Sequence, residues 1–157
     1  MGLDFNADEI FEIAEQIEKN GSVFYRKAAE SVEGGEKEFL LELAAMEDDH
    51  LVSFADLRKD LSDKAKLPTT FDPEDEAALY MKALADTRVF FEKEMDTSSM
   101  ETILKAAITA EKDSIVFYLG MMELVPEKAG KDKINDIIKE EMSHIRLLSN
   151  RLANLKK

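Results

Sequence analysis

Cysteine and tryptophan are both absent from this chain of 157 residues, which also carries only three prolines and six glycines. Without cysteine there is no disulfide, no iron–sulfur cluster, no four-cysteine zinc or rubredoxin-type site and no thiol catalysis. Positive charge is scarce as well: 21 Lys and Arg face 34 Asp and Glu, a formal charge of −13. Such a surface repels phosphate backbones, so nucleic acid is excluded as an expected partner. No apolar run approaches the roughly 18 residues that span a bilayer. The start, Met1-Gly2-Leu3-Asp4-Phe5-Asn6-Ala7-Asp8-Glu9, has acids where a signal peptide has a basic end and an apolar stretch. These absences lead to the expectation of one soluble, cytoplasmic domain over residues 1–157, away from membranes.

The few helix breakers are informative by position. Gly34-Gly35, Pro68, Pro73 and the segment Pro126 to Gly130 separate long stretches rich in Leu, Ala, Glu, Lys and Met. Helical spacing of Ile10, Ile13, Ala14, Ile17, Phe24 and Ala28 predicts a first helix over about 7–32, with Asn6 and Glu9 as cap and N3 partner. A second is expected over about 36–62 from Phe39, Leu40, Leu43, Met46, Leu51, Phe54 and Leu57, antiparallel to the first because the Gly-Gly connection is short. A third, over about 99–124, opens on the capping-box pattern Ser98-x-x-Glu101. The fourth, over about 131–155, carries Ile134, Ile137, Ile138, Ile145, Leu148 and Leu152. Between the second and third lies a connection over about 63–97, where Asp72-Pro73 begins a short helix reaching about Lys82. No strand of useful length is visible. The expected fold is all-α: two antiparallel helical hairpins joined by a long crossover with a short helix, a ferritin-like four-helix bundle.

The two hairpins repeat each other. Ile17 to Tyr25 aligns with Ala110 to Tyr118 at an offset of 93, with Glu, Lys, Val, Phe and Tyr identical at five of nine positions. Downstream, Glu47-x-x-His50 aligns with Glu141-x-x-His144 at an offset of 94. Both histidines of the chain therefore sit three residues after a glutamate, at matching places in a duplicated hairpin.

Residues i and i+3 share one side of a helix, so Glu47 and His50 can grip one ion and Glu141 and His144 another. Folding each hairpin brings Glu18 to the depth of Glu47 and Glu111 to that of Glu141. One Glu from each of two helices, with a Glu-x-x-His from each of the others, is the general template for dinuclear carboxylate sites in bundles. Two divalent ions would neutralise the four glutamates; without them, four buried carboxylates would have to protonate or loosen the bundle. The donor set suits iron or manganese, and zinc accepts it too. Tyr25 and Tyr118 follow Glu18 and Glu111 by seven residues, on the same face. They are candidate hydrogen-bond partners of a ligand carboxylate or members of an electron path, or else core aromatics with a satisfied hydroxyl. The methionines read as packing, and Asp49 and Glu140 as solvated.

These motifs, Glu18-Lys19 with Phe24-Tyr25, Glu47 to His50, Glu111-Lys112 with Phe117-Tyr118 and Glu141 to His144, resemble the rubrerythrin group of the ferritin-like superfamily over about residues 7–153. The resemblance implies two irons held by Glu18, Glu47, His50, Glu111, Glu141 and His144, cycling between diferrous and diferric states and consuming hydrogen peroxide or dioxygen. Two departures stand out. The rubredoxin part with its four cysteines is missing, which implies a separate electron-donor protein or reductant. Rubrerythrins also place a further glutamate one turn after the third-helix ligand, where this chain has Ser114, with Gly21 as its counterpart in the first half. The leading expectation is a di-iron oxidoreductase that pairs with a second copy. The alternatives are a protein that oxidises, stores or passes on ferrous iron, and a metal-free bundle serving as an interaction module.

Overall fold

The computed structural model describes residues 7–60, 79–80, 83, 97–124 and 128–155. Among them are four long helices and no strand: α1 (Ala7–Ala29), α2 (Gly35–Lys59), α3 (Met100–Leu124) and α4 (Lys128–Leu155). The helices α1 and α2 pack along each other, as do α3 and α4, and the two hairpins meet through α1 with α3 and α2 with α4.

Local signals place the helix ends. Acidic Asp8 and Glu9 open α1, and basic Arg26 and Lys27 close it, both favourable to the helix dipole. Gly34 turns the chain into α2 at φ +67°, a left-handed conformation that side chains disfavour. At α3 the structure differs from the expected Ser98 pattern: the helix starts at Met100, and Ser99 Oγ accepts the Thr102 N–H at 3.1 Å. Ser99 has Thr102 rather than a Glu three residues on, so the capping-box pattern favours Ser98, and the helix register overrides it. Helix α4 starts at Lys128 rather than near 131, so Gly130 lies inside its first turn. The first turn is where N–H groups lack intrahelical partners anyway, which softens the usual cost of a glycine. The expected Asn6 cap, most of the 63–97 connection and Phe90-Phe91 lie outside the described residues. Within that connection Leu79, Tyr80 and Ala83 are helical, and the Tyr80 hydroxyl donates to the Val116 carbonyl at 3.3 Å.

Two apolar clusters fill the bundle. One joins Ile10, Phe11, Ala14 and Ile17 of α1 to Phe54, Phe117, Tyr118, Met121, Ile134, Ile137 and Ile138. The other joins Phe24, Tyr25, Ala28 and Ala29 to Phe39, Leu40, Leu43, Ala44, Met100, Ile103, Leu104, Ala107, Ala110 and Leu148. Read along each helix, the clusters give the directions. Helices α1 and α4 run from the first cluster to the second, and α2 and α3 run the opposite way. The end of α2 and the start of α3 are therefore at opposite ends of the bundle, so the connection between them is a crossover. On every helix a short polar stretch separates the two clusters: Glu18, Glu47 with His50, Glu111, and Glu141 with His144, all buried.

Candidate metal centre

The polar belt brings the six sequence-predicted ligands together. Each is at most 3% exposed. Their oxygens and imidazole nitrogens form two groups, each with its ligand atoms within 4.8 Å of one another: Glu18, Glu47, His50 and Glu141, and Glu47, Glu111, Glu141 and His144. Glu47 and Glu141 belong to both. Each Glu-x-x-His contributes its histidine to one group and its glutamate to both, because the i and i+3 side chains project into the bundle axis where the hairpins meet.

Six buried side-chain atoms in the described residues lack a hydrogen-bond partner: Glu18 Oε2, Glu47 Oε1, His50 Nδ1, Glu111 Oε2, Glu141 Oε1 and His144 Nδ1. Each candidate ligand supplies one. His50 Nδ1 lies 2.6 Å from Glu141 Oε1 and 3.5 Å from Glu18 Oε2, and His144 Nδ1 lies 3.3 Å from Glu47 Oε1, but none of these approaches has hydrogen-bond geometry. Orphaned buried polar atoms cost about 1–3 kcal/mol each, and native proteins rarely gather them. Six such atoms converging from four helices, all carboxylate oxygen or imidazole nitrogen, fit a pair of divalent cations with hard or borderline ligands.

The tyrosines cross the duplication. Tyr25 donates to Glu111 Oε1 at 2.7 Å, and Tyr118 donates to Glu18 Oε1 at 2.6 Å. Both rings are fully buried core members as well, so the two readings of these residues hold together. Each hydroxyl occupies one oxygen of the glutamate in the other hairpin and leaves the second oxygen facing the cluster. The spacing of seven residues places them on the ligand face; which glutamate each reaches follows from how the hairpins dock.

The electrostatics are those of crowded acids. Burial, with Glu111, Glu141 and Glu18 nearby, raises the Glu47 carboxyl well above its usual range, and burial with Glu111 and Glu18 does the same to Glu141. Burial would also raise Glu111, but the Glu141 carboxyl and the His144 imidazole beside it outweigh that and draw Glu111 down to about 2. For His50, burial disfavours the proton, yet Glu18 and Glu140 prevail and carry it up to about 9. Burial lifts both tyrosine hydroxyls well above their usual value, and the neighbouring carboxylates add to it. The tyrosines therefore stay protonated donors.

Three side chains depart from the sequence-based expectations. Glu140, expected to be merely solvated, is solvent-facing but places Oε2 at 2.5 Å from His50 Nε2. Met46, expected in the core, is 40% exposed with Sδ at 3.1 Å from His144 Nε2, and Met142 is also exposed. Both methionines adjoin a ligand glutamate in sequence, about 100° around the helix from it, which turns them outward. Asp49 is exposed, as expected. The outer edges of the two imidazoles, which stack at 5.7 Å between centroids, line a cavity of about 300 Å³ between α2 and α4. Where the resemblance would put an additional glutamate, Ser114 is buried and turns its hydroxyl back to the Ala110 carbonyl at 2.9 Å. Gly21 is buried at the equivalent place on α1. No seventh carboxylate enters the cluster from these positions.

The family described as rubrerythrin matches residues 9–152. A crystal structure from Thermotoga maritima, described as that of a candidate ferritin-like diiron-carboxylate protein, superposes with a TM-score of 0.71 at 23% identity, covering 96% of each chain. At that identity the likeness speaks for the fold. No curated protein matches the chain.

Proposed function

The chain belongs to the rubrerythrin family, and we propose that it is a di-iron oxidoreductase consuming hydrogen peroxide or dioxygen. The observation that carries this reading is the set of six buried atoms without partners, one from each of Glu18, Glu47, His50, Glu111, Glu141 and His144. Glu18 and His50 would hold one ion, Glu111 and His144 the other, and Glu47 and Glu141 are common to both groups. Bound ferrous iron supplies two electrons for breaking an O–O bond and Lewis acidity for the oxide charge that develops.

The protein's own contribution is orientation and exclusion. Tyr25 and Tyr118 fix Glu111 and Glu18 through one oxygen each, so the free oxygens point to the cluster without rotamer search. The apolar clusters close the belt at both ends and keep bulk water away. The cavity beside the two imidazoles is large enough for a molecule of peroxide or dioxygen and approaches the belt from the side. Lacking cysteine, the chain holds no rubredoxin-type iron, so reducing electrons come from outside this bundle.

The test is anaerobic loading with ferrous iron, removal of excess, and peroxide turnover with an added reductant. The expected result is about two irons per chain, an oxo-bridged near-ultraviolet band after oxidation, and catalytic peroxide loss that Glu47→Ala and Glu141→Ala abolish. Full iron-dependent turnover in those variants would refute the ligand assignment. Iron oxidised once with no continuing peroxide loss would favour ferrous-iron handling instead.

A further inference from the structure

The duplication makes a strict comparison available. At the offset of 94 that pairs Glu47 with Glu141 and His50 with His144, Met46 pairs with Glu140. The tyrosine contacts are nearly symmetric: Tyr25 to Glu111 at 2.7 Å and Tyr118 to Glu18 at 2.6 Å. The outer contacts are not. His50 Nε2 meets a carboxylate, Glu140 Oε2 at 2.5 Å, whereas His144 Nε2 meets a thioether, Met46 Sδ at 3.1 Å. In each case the partner is the residue just before the glutamate of the opposite Glu-x-x-His.

We propose that Glu140 is a positioning residue that makes the two halves of the centre unequal, so that the half containing His50 takes up a divalent cation more tightly than the half containing His144. The proposal rests on the metal-binding reading given above. A carboxylate is a strong acceptor and a thioether a weak one. Glu140 holds the His50 proton at Nε2 and fixes the ring, which leaves Nδ1, buried and without a partner, directed into the cluster as a lone-pair donor. The His144 ring lacks that restraint and that added basicity. Carboxylate partners of ligating imidazoles typically alter metal affinity about 10–100-fold. The Glu140 side chain is 63% exposed, so it adds little to the core, and its replacement leaves the bundle intact.

Stepwise titration of the chelator-stripped protein with cobalt(II), a redox-stable probe, tests this by calorimetry. The wild type is expected to show two binding constants separated by about tenfold or more. Glu140→Met weakens the tighter constant alone, so the two steps merge. Met46→Glu strengthens the weaker one, and the double exchange restores two unequal constants. A second readout is the exchangeable imidazole N–H signals shifted by bound cobalt: one exchanges slowly in the wild type and becomes fast in Glu140→Met. Two cobalt ions bound with equal constants in the wild type, or a Glu140→Met variant that weakens both steps alike, would overturn the proposal while leaving the metal centre standing. No cobalt bound at all would overturn both.

Discussion

Replacing Glu47 with leucine separates a metal centre from a polar network that merely stabilises the fold. Glu47 is 2% exposed, its Oε1 has no hydrogen-bond partner, and it belongs to both donor groups. In the metal-free protein the six orphaned atoms together cost about 6–18 kcal/mol at about 1–3 kcal/mol each. That is comparable to the net stability of about 5–15 kcal/mol available to a domain. Removing one of them and substituting an apolar group of similar size should stabilise the metal-free form by about 1–3 kcal/mol. At about 2–4 °C per kcal/mol for a chain of this length, Tm rises by about 2–12 °C. The metal-loaded comparison runs the other way. A ligand at about a thousand times its Kd adds about 4 kcal/mol per site, so two sites raise wild-type Tm by about 16–32 °C. Glu47→Leu, lacking a ligand shared by both sites, should retain less than about a third of that gain. Calorimetry on chelator-treated and anaerobically iron-loaded samples measures all four values. If Glu47→Leu lowers Tm in chelator, or if wild-type Tm is unmoved by iron, the six atoms are not a metal site.

Two further outcomes follow from the same geometry. Tyr118→Phe removes a buried hydrogen bond to a carboxylate, worth about 1.5–3 kcal/mol, and should lower Tm by about 3–12 °C while weakening metal binding, as read by competition with a chromophoric chelator; unchanged affinity would show that Glu18 needs no restraint. For the metal-free protein, the raised Glu47, Glu141 and His50 mean that the folded state holds more protons than the unfolded one between about pH 4.5 and about 9, so stability falls as pH rises through that window. Glu111, lowered to about 2, acts in the opposite sense and removes stability as pH falls below about 4.5. Chelated protein should therefore melt highest in mildly acid solution, whereas iron-loaded protein should gain Tm from pH 5 to 7 as protons stop competing for the ligands; a flat metal-free profile from pH 5 to 9 would contradict the crowding.

The candidate ligands were readable in the sequence because their constraint is local. A Glu and His three apart share a helix face whatever the rest of the chain does, and the duplication marks which glutamates on the other helices correspond. Interhelical partners carry no such signature. That Tyr25 serves Glu111 rather than Glu18 depends on the docking of one hairpin against the other. Glu140 is adjacent to a ligand in sequence but about 100° away around the helix, so only the arrival of His50 from α2 gives it a role. The available hint was negative: Glu140 aligns with Met46 and breaks the repeat. Ser98 and Ser99 show the same limit at smaller scale, since the capping-box pattern favours Ser98 and helix register selects Ser99.

The positions where the halves diverge are as informative as those where they agree. Selection for a folded bundle alone would replace a buried belt of four carboxylates and two imidazoles with apolar residues, since burial of such groups is at best neutral without compensation. Instead both halves keep Glu, Glu-x-x-His and Tyr, and the belt lies between two apolar clusters that would join if it were apolar. What varies is the outer surface of the belt: Glu140 against Met46 at the imidazoles, and the Arg26–Asp48 ion pair against Leu119 and Met142. On the proposed reading, matched ligand sets in the two halves would hold two like ions, and asymmetric surroundings would let those ions differ.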